Sequence, residues 1–360
     1  MRITKAICWK EDLELTRPYT IAYQTISAVQ NLFVRLETEN GTVGLGAGSP
    51  GEWVTGETID DSLAGLQNHL ENLLVGKDLR HFRSIIRESR RELPKLPAAQ
   101  AAIDIALYDA FGQSVGVPLV KLFGQCHQSL PTSITIGIKS LEETLEEAAE
   151  HMASGFKVIK LKTGSDVEAD VETFSKLRAK VGPGIKIRVD ANQGYQPKDL
   201  NTFVNAVRNL NLEFVEQPVP NHKLELMMQI PAQLREICAA DEDLHDARDA
   251  VRLARPSRPF GIYNIKLMKC GGINEALRIA HIAEAADVDL MWGCMDESII
   301  SITAALHAAL ACPNTRYLDL DGSLDLARDI VSGGFILEKG YLRVDESKAG
   351  LGIKSGDLIR

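Results

Sequence analysis

The chain has 360 residues, 45% hydrophobic and 25% charged, with a net charge of −9. It can bury a sizeable core and is long for one small domain; its negative balance argues against nucleic acid or acidic membranes as main partners. No uninterrupted apolar run approaches the ~20 residues that span a bilayer. The cysteines, Cys8, Cys126, Cys238, Cys270, Cys294 and Cys312, are dispersed without a Cys-x-x-Cys. Neither a disulfide framework nor a zinc knuckle is indicated, and a reducing cytoplasm is the expected location. Met1 runs directly into a strand-like pattern, which reads as the absence of a secretory leader.

In chain order, residues 2–14 and 31–38 read as strands, and Glu39-Asn40-Gly41 reads as a hairpin turn into a third. Loops are expected at 16–23 and 49–56. Helical periodicity follows over 58–74, 81–93 and 98–113, the last so apolar that it should be buried nearly all round. Strands followed by helices predict an α+β capping domain over residues 1–125. From Pro131 apolar strands alternate with helical stretches. Candidate strand-end residues are Thr135, Lys162, Asp190, Glu216, Asp241, Lys266, Gly293 and Asp319, separated by 27, 28, 26, 25, 25, 27 and 26 residues. One strand, one helix and two loops fit that period, so the fold class is α/β, a (β/α)-barrel over 126–325. Residues 326–360 leave the pattern and are expected to return to the first unit.

In Val158-Ile159-Lys160-Leu161-Lys162 both lysines share one face of a strand. A lone Lys-x-Lys is ordinarily a solvated surface feature. Here three carboxylates, Asp190, Glu216 and Asp241, follow at successive strand ends and would converge at the barrel mouth. Three acids sharing a buried site need a cation. Oxygen ligands without Cys or His favour Mg²⁺ over zinc. Lys162 and Lys266, on the second and sixth strands, face each other across the axis. Burial and neighbouring cations are expected to lower a lysine's pKa and let it act as a base. Proton abstraction next to a carboxylate gives an enediolate, which the metal stabilises with help from Lys160. A base on each face means racemisation or epimerisation. Asp319 and Asp321 share a face at the end of strand eight, placed to grip an ammonium group.

The series Lys160-x-Lys162, Asp190-x-Asn192, Glu216-Gln217-Pro218, Asp241-Glu242 and Lys266-Leu267-Met268-Lys269-Cys270-Gly271-Gly272 resembles the enolase superfamily, in its muconate-lactonising subgroup. The resemblance covers almost the whole chain. Asp319-x-Asp321 is similar to the pair with which the dipeptide epimerases hold a substrate's α-ammonium. It implies a Mg²⁺-dependent isomerase inverting the C-terminal residue of L,L-dipeptides, with Thr135, Lys160, Asn192 and the Met295 backbone as further substrate contacts. The alternatives on the same scaffold, o-succinylbenzoate synthase or a muconate-type lyase, need no such aspartate pair. A non-catalytic binding protein is disfavoured because every acid, base and ligand position is filled. For substrate choice, the loops at 20–23 and 49–55 offer Tyr23, Glu52 and Trp53, with Asp296 adding negative charge at the barrel end. That predicts cationic or large hydrophobic dipeptides over L-Ala-L-Glu. The sequence leaves the oligomeric state open, a homo-oligomer included.

Overall fold

The structure, a computed structural model, describes residues 1–21 and 24–355. Strands β1 (Ile3–Ile21), β2 (Gln24–Thr38) and β3 (Val43–Gly48) form an antiparallel sheet. The Asn40-Gly41 turn is present, with Gly41 at φ 79°. The first hairpin runs further than the sequence suggests. Residues 16–21 are strand rather than loop, pairing Tyr19 with Ile26 and Ile21 with Gln24 after a register shift past Glu14.

Helices α1 (Ile59–Leu74), α2 (Phe82–Glu92) and α3 (Pro97–Val115) follow. Thr58 and Asp61 close a capping box at the start of α1, which sets its first turn. Helix α3 lies against β3 at backbone distance. A Cβ on Gly44, Gly46 or Gly48 would come within 2.3 Å of the carbonyl oxygens of Ala106, Ala102 or Ala98. Small residues on both sides are therefore required there.

After a short strand β4 (Leu130–Pro131) come eight parallel strands. They are β5 (Ile134–Ile136), β6 (Val158–Lys162), β7 (Lys186–Asp190), β8 (Leu212–Glu216), β9 (Cys238–Ala240), β10 (Ile262–Ile265), β11 (Asp289–Gly293) and β12 (Thr315–Asp319). Each is hydrogen-bonded to its sequence neighbour, and a parallel bridge from Thr132 to Leu318 joins the two ends. This is the (β/α)-barrel that the spacing predicts; seven of the eight candidate residues fall at strand ends or one position beyond, and Thr135 lies one residue short of the end of β5. Buried Ile159 and Leu161 face away from Lys160 and Lys162 by strand alternation.

Beyond the barrel, β13 (Val331–Gly333) pairs with β16 (Ile353–Ser355), while β14 (Phe335–Glu338) and β15 (Tyr341–Val344) add to β4. Backbone hydrogen bonds tie Thr16 to Asp325, Ala327 to Glu14 and Leu119 to Gly350. Among the described residues no helix is long and apolar enough to cross a membrane.

Candidate active site

The ends of β6 to β10 and of β12 bring a buried charge network to one end of the barrel. Lys160 Nζ lies 2.8 Å from Asp319 Oδ2, 2.8 Å from Glu216 Oε2 and 3.1 Å from Asp190 Oδ2. Lys162 Nζ donates to Asp190 Oδ2 and to Asn192 Oδ1, each at 2.8 Å, and its side chain is 29% exposed. Lys266 Nζ donates to Asp241 Oδ2 at 2.7 Å. Lys269 donates to the Asp241 carboxylate and to its carbonyl. The predicted lysines and acids of the mouth form a network of two ion-paired clusters, one around Lys160 and one around Asp241, which Asp321 and Thr135 do not join. These two pair beside it, the Thr135 amide donating to Asp321 Oδ2 at 2.8 Å.

The electrostatics differ in one respect from expectation. Burial alone would lower the Lys266 ammonium, but Asp241 and Glu216 outweigh it and raise its pKa; Lys160 is raised likewise by Asp319, Glu216 and Asp190. The expected lowering by neighbouring cations does not hold, because the groups facing these lysines are carboxylates. Among the acids, burial would raise Asp190, yet Lys162 and Lys160 hold it down at about 2. Burial and then the neighbouring Asp190 push Glu216 up to about 7. Burial and Asp319 push Asp321 up to about 7 as well.

Several partners escape sequence reasoning. Asn264 Nδ2 donates to Glu216 Oε1 at 2.6 Å, and Gln217 Oε1 accepts from the Asp241 amide at 3.0 Å. Ser133 donates to Asp319, and Glu297 Oε1 takes the Met295 amide at 2.9 Å. Asn264 had a signal, since it lies two residues before Lys266 and shares its strand face. Gln217 had none. It sits at φ 31°, and Asn192 and Gln193 at φ 41° and 70°, so the turns straight after β7 and β8 are strained where the site needs them.

The donor chemistry fits a hard dication. Asp190, Glu216 and Asp241 are buried at the ends of neighbouring strands, and among the described residues Glu216 Oε2 makes no hydrogen bond despite Lys160 standing near it. Among the described residues no three acidic, His or Cys side chains converge as a ready ligand set. The oxygens are turned to the lysines instead.

Near the mouth, Ser49 Oγ donates to the Asp296 carbonyl at 3.0 Å, and a Cβ on Gly51 would lie 3.7 Å from Met295 Sδ. The 49–55 loop therefore rests on the end of β11. Trp53, on its tip, is 87% exposed. Tyr23 lies outside the described residues.

A closed parallel barrel with acids and lysines at its strand ends, beside an N-terminal α+β cap, defines an enolase-type acid–base enzyme. The chain matches the mandelate racemase/muconate-lactonizing enzyme N-terminal domain over residues 3–124 and the enolase C-terminal domain-like family over 143–356, and it belongs to that family of the enolase superfamily. It is 55% identical to an L-Lys-D/L-Arg epimerase of Desulforapulum autotrophicum, over 98% of this chain and 99% of that one. A crystal structure of a dipeptide epimerase from Methylococcus capsulatus, complexed with Mg and L-Arg-D-Lys, superposes with a TM-score of 0.95 at 51% identity, covering 98% of this chain and 99% of that one. An L-Ala-D/L-Glu epimerase of Clostridium acetobutylicum is 35% identical over 94% of this chain and 95% of its own.

Proposed function

We propose that this chain, a Mg²⁺-dependent dipeptide epimerase, inverts the C-terminal residue of dipeptides carrying cationic side chains. The observation that carries the reaction is the pair of lysines on opposed strands. Lys162 ends β6, and Lys266 follows β10, four strands away around an eight-stranded barrel. A substrate α-carbon between them meets one Nζ on each face. One amine takes the proton while the opposite ammonium returns another, which inverts the centre. Mg²⁺ held by Asp190, Glu216 and Asp241 would supply electrostatic stabilisation for the charge that develops on the substrate carboxylate. Lys160, held by three acids, stays an ammonium and adds to that stabilisation from a fixed position.

The aspartate pair divides its work. Asp319 has both oxygens engaged, by Ser133 and by Lys160, and so fixes Lys160. Asp321 carries the carboxyl that a substrate ammonium would draw into its ionised form. Thr135 orients Asp321 through its amide. Asn192 positions Lys162, and the Met295 segment lines the β11 side. Residues 1–125 serve as the cap, 126–325 as the barrel and 326–360 as a closing segment.

The cationic preference is supported by the exposed Glu52-Trp53 pair on the loop that rests on the end of β11, an aromatic face beside an anion. The relative that is 55% identical is named for Lys and Arg. Comparing kcat/KM for L-Lys-L-Arg and L-Ala-L-Glu tests it. At least a tenfold preference for the cationic dipeptide is expected. A preference for L-Ala-L-Glu overturns the substrate reading and leaves the epimerase reading intact.

A further inference from the structure

A second charged concavity lies on the outside of the molecule, where α2 of the cap meets the helix Ile273–Ala285 of the barrel. Its volume is about 800 Å³, and Arg83, Arg87, Arg90, Arg91 and Arg278 line it against one carboxylate, Glu275. In a chain of net charge −9 this concentration of one sign is anomalous.

The arginines fall into two groups. Arg278 donates to Glu275 Oε2 at 2.7 Å, and Arg90 stands 3.4 Å from the same oxygen while donating to the Cys270 carbonyl. Glu275 is buried and also accepts the Ala247 amide, so it is committed to this frame. Arg83, Arg87 and Arg91 form the other group. They are exposed, repeat at four-residue spacing along one face of α2, and make no ion pair among the described residues. The acids of the same helix face elsewhere: Glu88 takes Lys77, and Glu92 lies beside His69.

Such a ladder is unfavourable for the helix itself. Like charges at i, i+4 repel. Arg83 also sits in the first turn, the wrong end of the helix dipole for a cation. Arg91, in the last turn, suits the helix dipole, but neither local stability nor pairing within the chain accounts for Arg83 and Arg87, whereas a bound polyanion would. Guanidinium groups in a fork geometry suit bidentate contacts to phosphate oxygens. The volume falls within the range of small-molecule sites.

We propose that this groove binds a small polyanion bearing several phosphate groups, with Arg87 and Arg91 as its principal contacts and Arg83 closing one end. The site is separate from the barrel mouth, and its test does not depend on the substrate assignment. The Mg²⁺-loaded enzyme is titrated calorimetrically with trimetaphosphate, a compact trianion, and with inorganic phosphate. Saturable trimetaphosphate binding is expected, tighter than phosphate and weakening with added salt. The double variant Arg87→Gln, Arg91→Gln should weaken it at least tenfold, with dipeptide turnover in the absence of the anion unchanged. No saturable binding, equal affinity in the variant, or tighter binding of an oligoglutamate peptide than of trimetaphosphate would each overturn the proposal.

Discussion

Two sets of titratable groups, buried apart from Lys162, sit in this protein, and they are held in opposite ways. At the mouth, Lys160, Lys162, Lys266 and Lys269 meet Asp190, Glu216, Asp241 and Asp319, so charge faces charge. At the seam between cap and barrel, Asp104, Asp109 and His307 are met by backbone amides. Asp104 accepts from Ile273 and Asn274 at the head of a barrel helix, and Asp109 from Leu45 and Leu351. His307 Nδ1 accepts from Val120. Burial pushes Asp104 up to about 8 and Asp109 to about 6, and pushes His307 down to about 4. Each seam group is therefore driven towards its neutral form. The same residue types thus serve chemistry where the partner is ionic and docking where the partner is a peptide group.

The largest effect that could break this contrast lies at the bases. Lys162→Ala and Lys266→Ala should each lower epimerisation by roughly 10²–10⁴ in kcat. Both should still fold, because Asp190 keeps Lys160 and Asp241 keeps Lys269. Following α-deuterium uptake in D₂O, each variant is expected to retain exchange on at most one substrate epimer. Full epimerisation in either variant removes the two-base mechanism.

A smaller effect sharpens the mouth's definition. Among the described residues Asn264 hydrogen-bonds Glu216 and neither of the other proposed ligands. Asn264→Ala should raise the Mg²⁺ concentration for half-maximal activity roughly 10–100-fold, the usual cost of losing an outer partner of a ligand. An unchanged Mg²⁺ requirement, read from activity against free Mg²⁺ after EDTA treatment, means Glu216 is not held for the metal.

The third test belongs to the seam and should leave catalysis untouched. His307 has a folded pKa of about 4, below the ordinary 6.5. Its contribution is complete above pH 6.5 and disappears as the pH falls towards 4, amounting to at most about 3 kcal/mol. His307→Gln keeps an acceptor for the Val120 amide but does not titrate. Urea unfolding at pH 7 and pH 4.5 should show wild type losing more stability than the variant. Parallel losses would mean that His307 is not held neutral in the folded state.

The mouth was legible in the sequence because barrel chemistry forces functional groups to strand ends at a fixed period. Lys162, Asp190, Glu216, Gly293 and Asp319 end their strands, and Asp241 and Lys266 follow theirs by one residue. The seam was not legible. Asp104 and Asp109 lie in an apolar helix where nothing local separates a carboxylate that caps a distant helix from one facing solvent. The direction of the lysine pKa shifts was missed for a related reason: spacing shows which groups share a strand face, but not which oxygen stands nearest each ammonium. The extension of β1 to Ile21 was hidden by Pro18, which reads as a strand breaker but falls within the register shift of the hairpin.

The contact between β3 and α3 has a further consequence. Two residues of strand advance ~6.7 Å, and four of helix ~6.0 Å. Glycines at every second position and alanines at every fourth therefore stay nearly in step over Gly44–Ala106, Gly46–Ala102 and Gly48–Ala98. The strand is meshed with the helix like a short rack on a gear, and sliding by one tooth would drive a side chain into a carbonyl. The last tooth, Gly48, is the root of the 49–55 loop. That loop consequently has a fixed anchor point above the barrel, and changes in its reach or chemistry are confined to the tip, where Glu52 and Trp53 sit. On the proposed function, exchanges at Glu52 and Trp53 would alter substrate choice without disturbing the seating of β3 on α3.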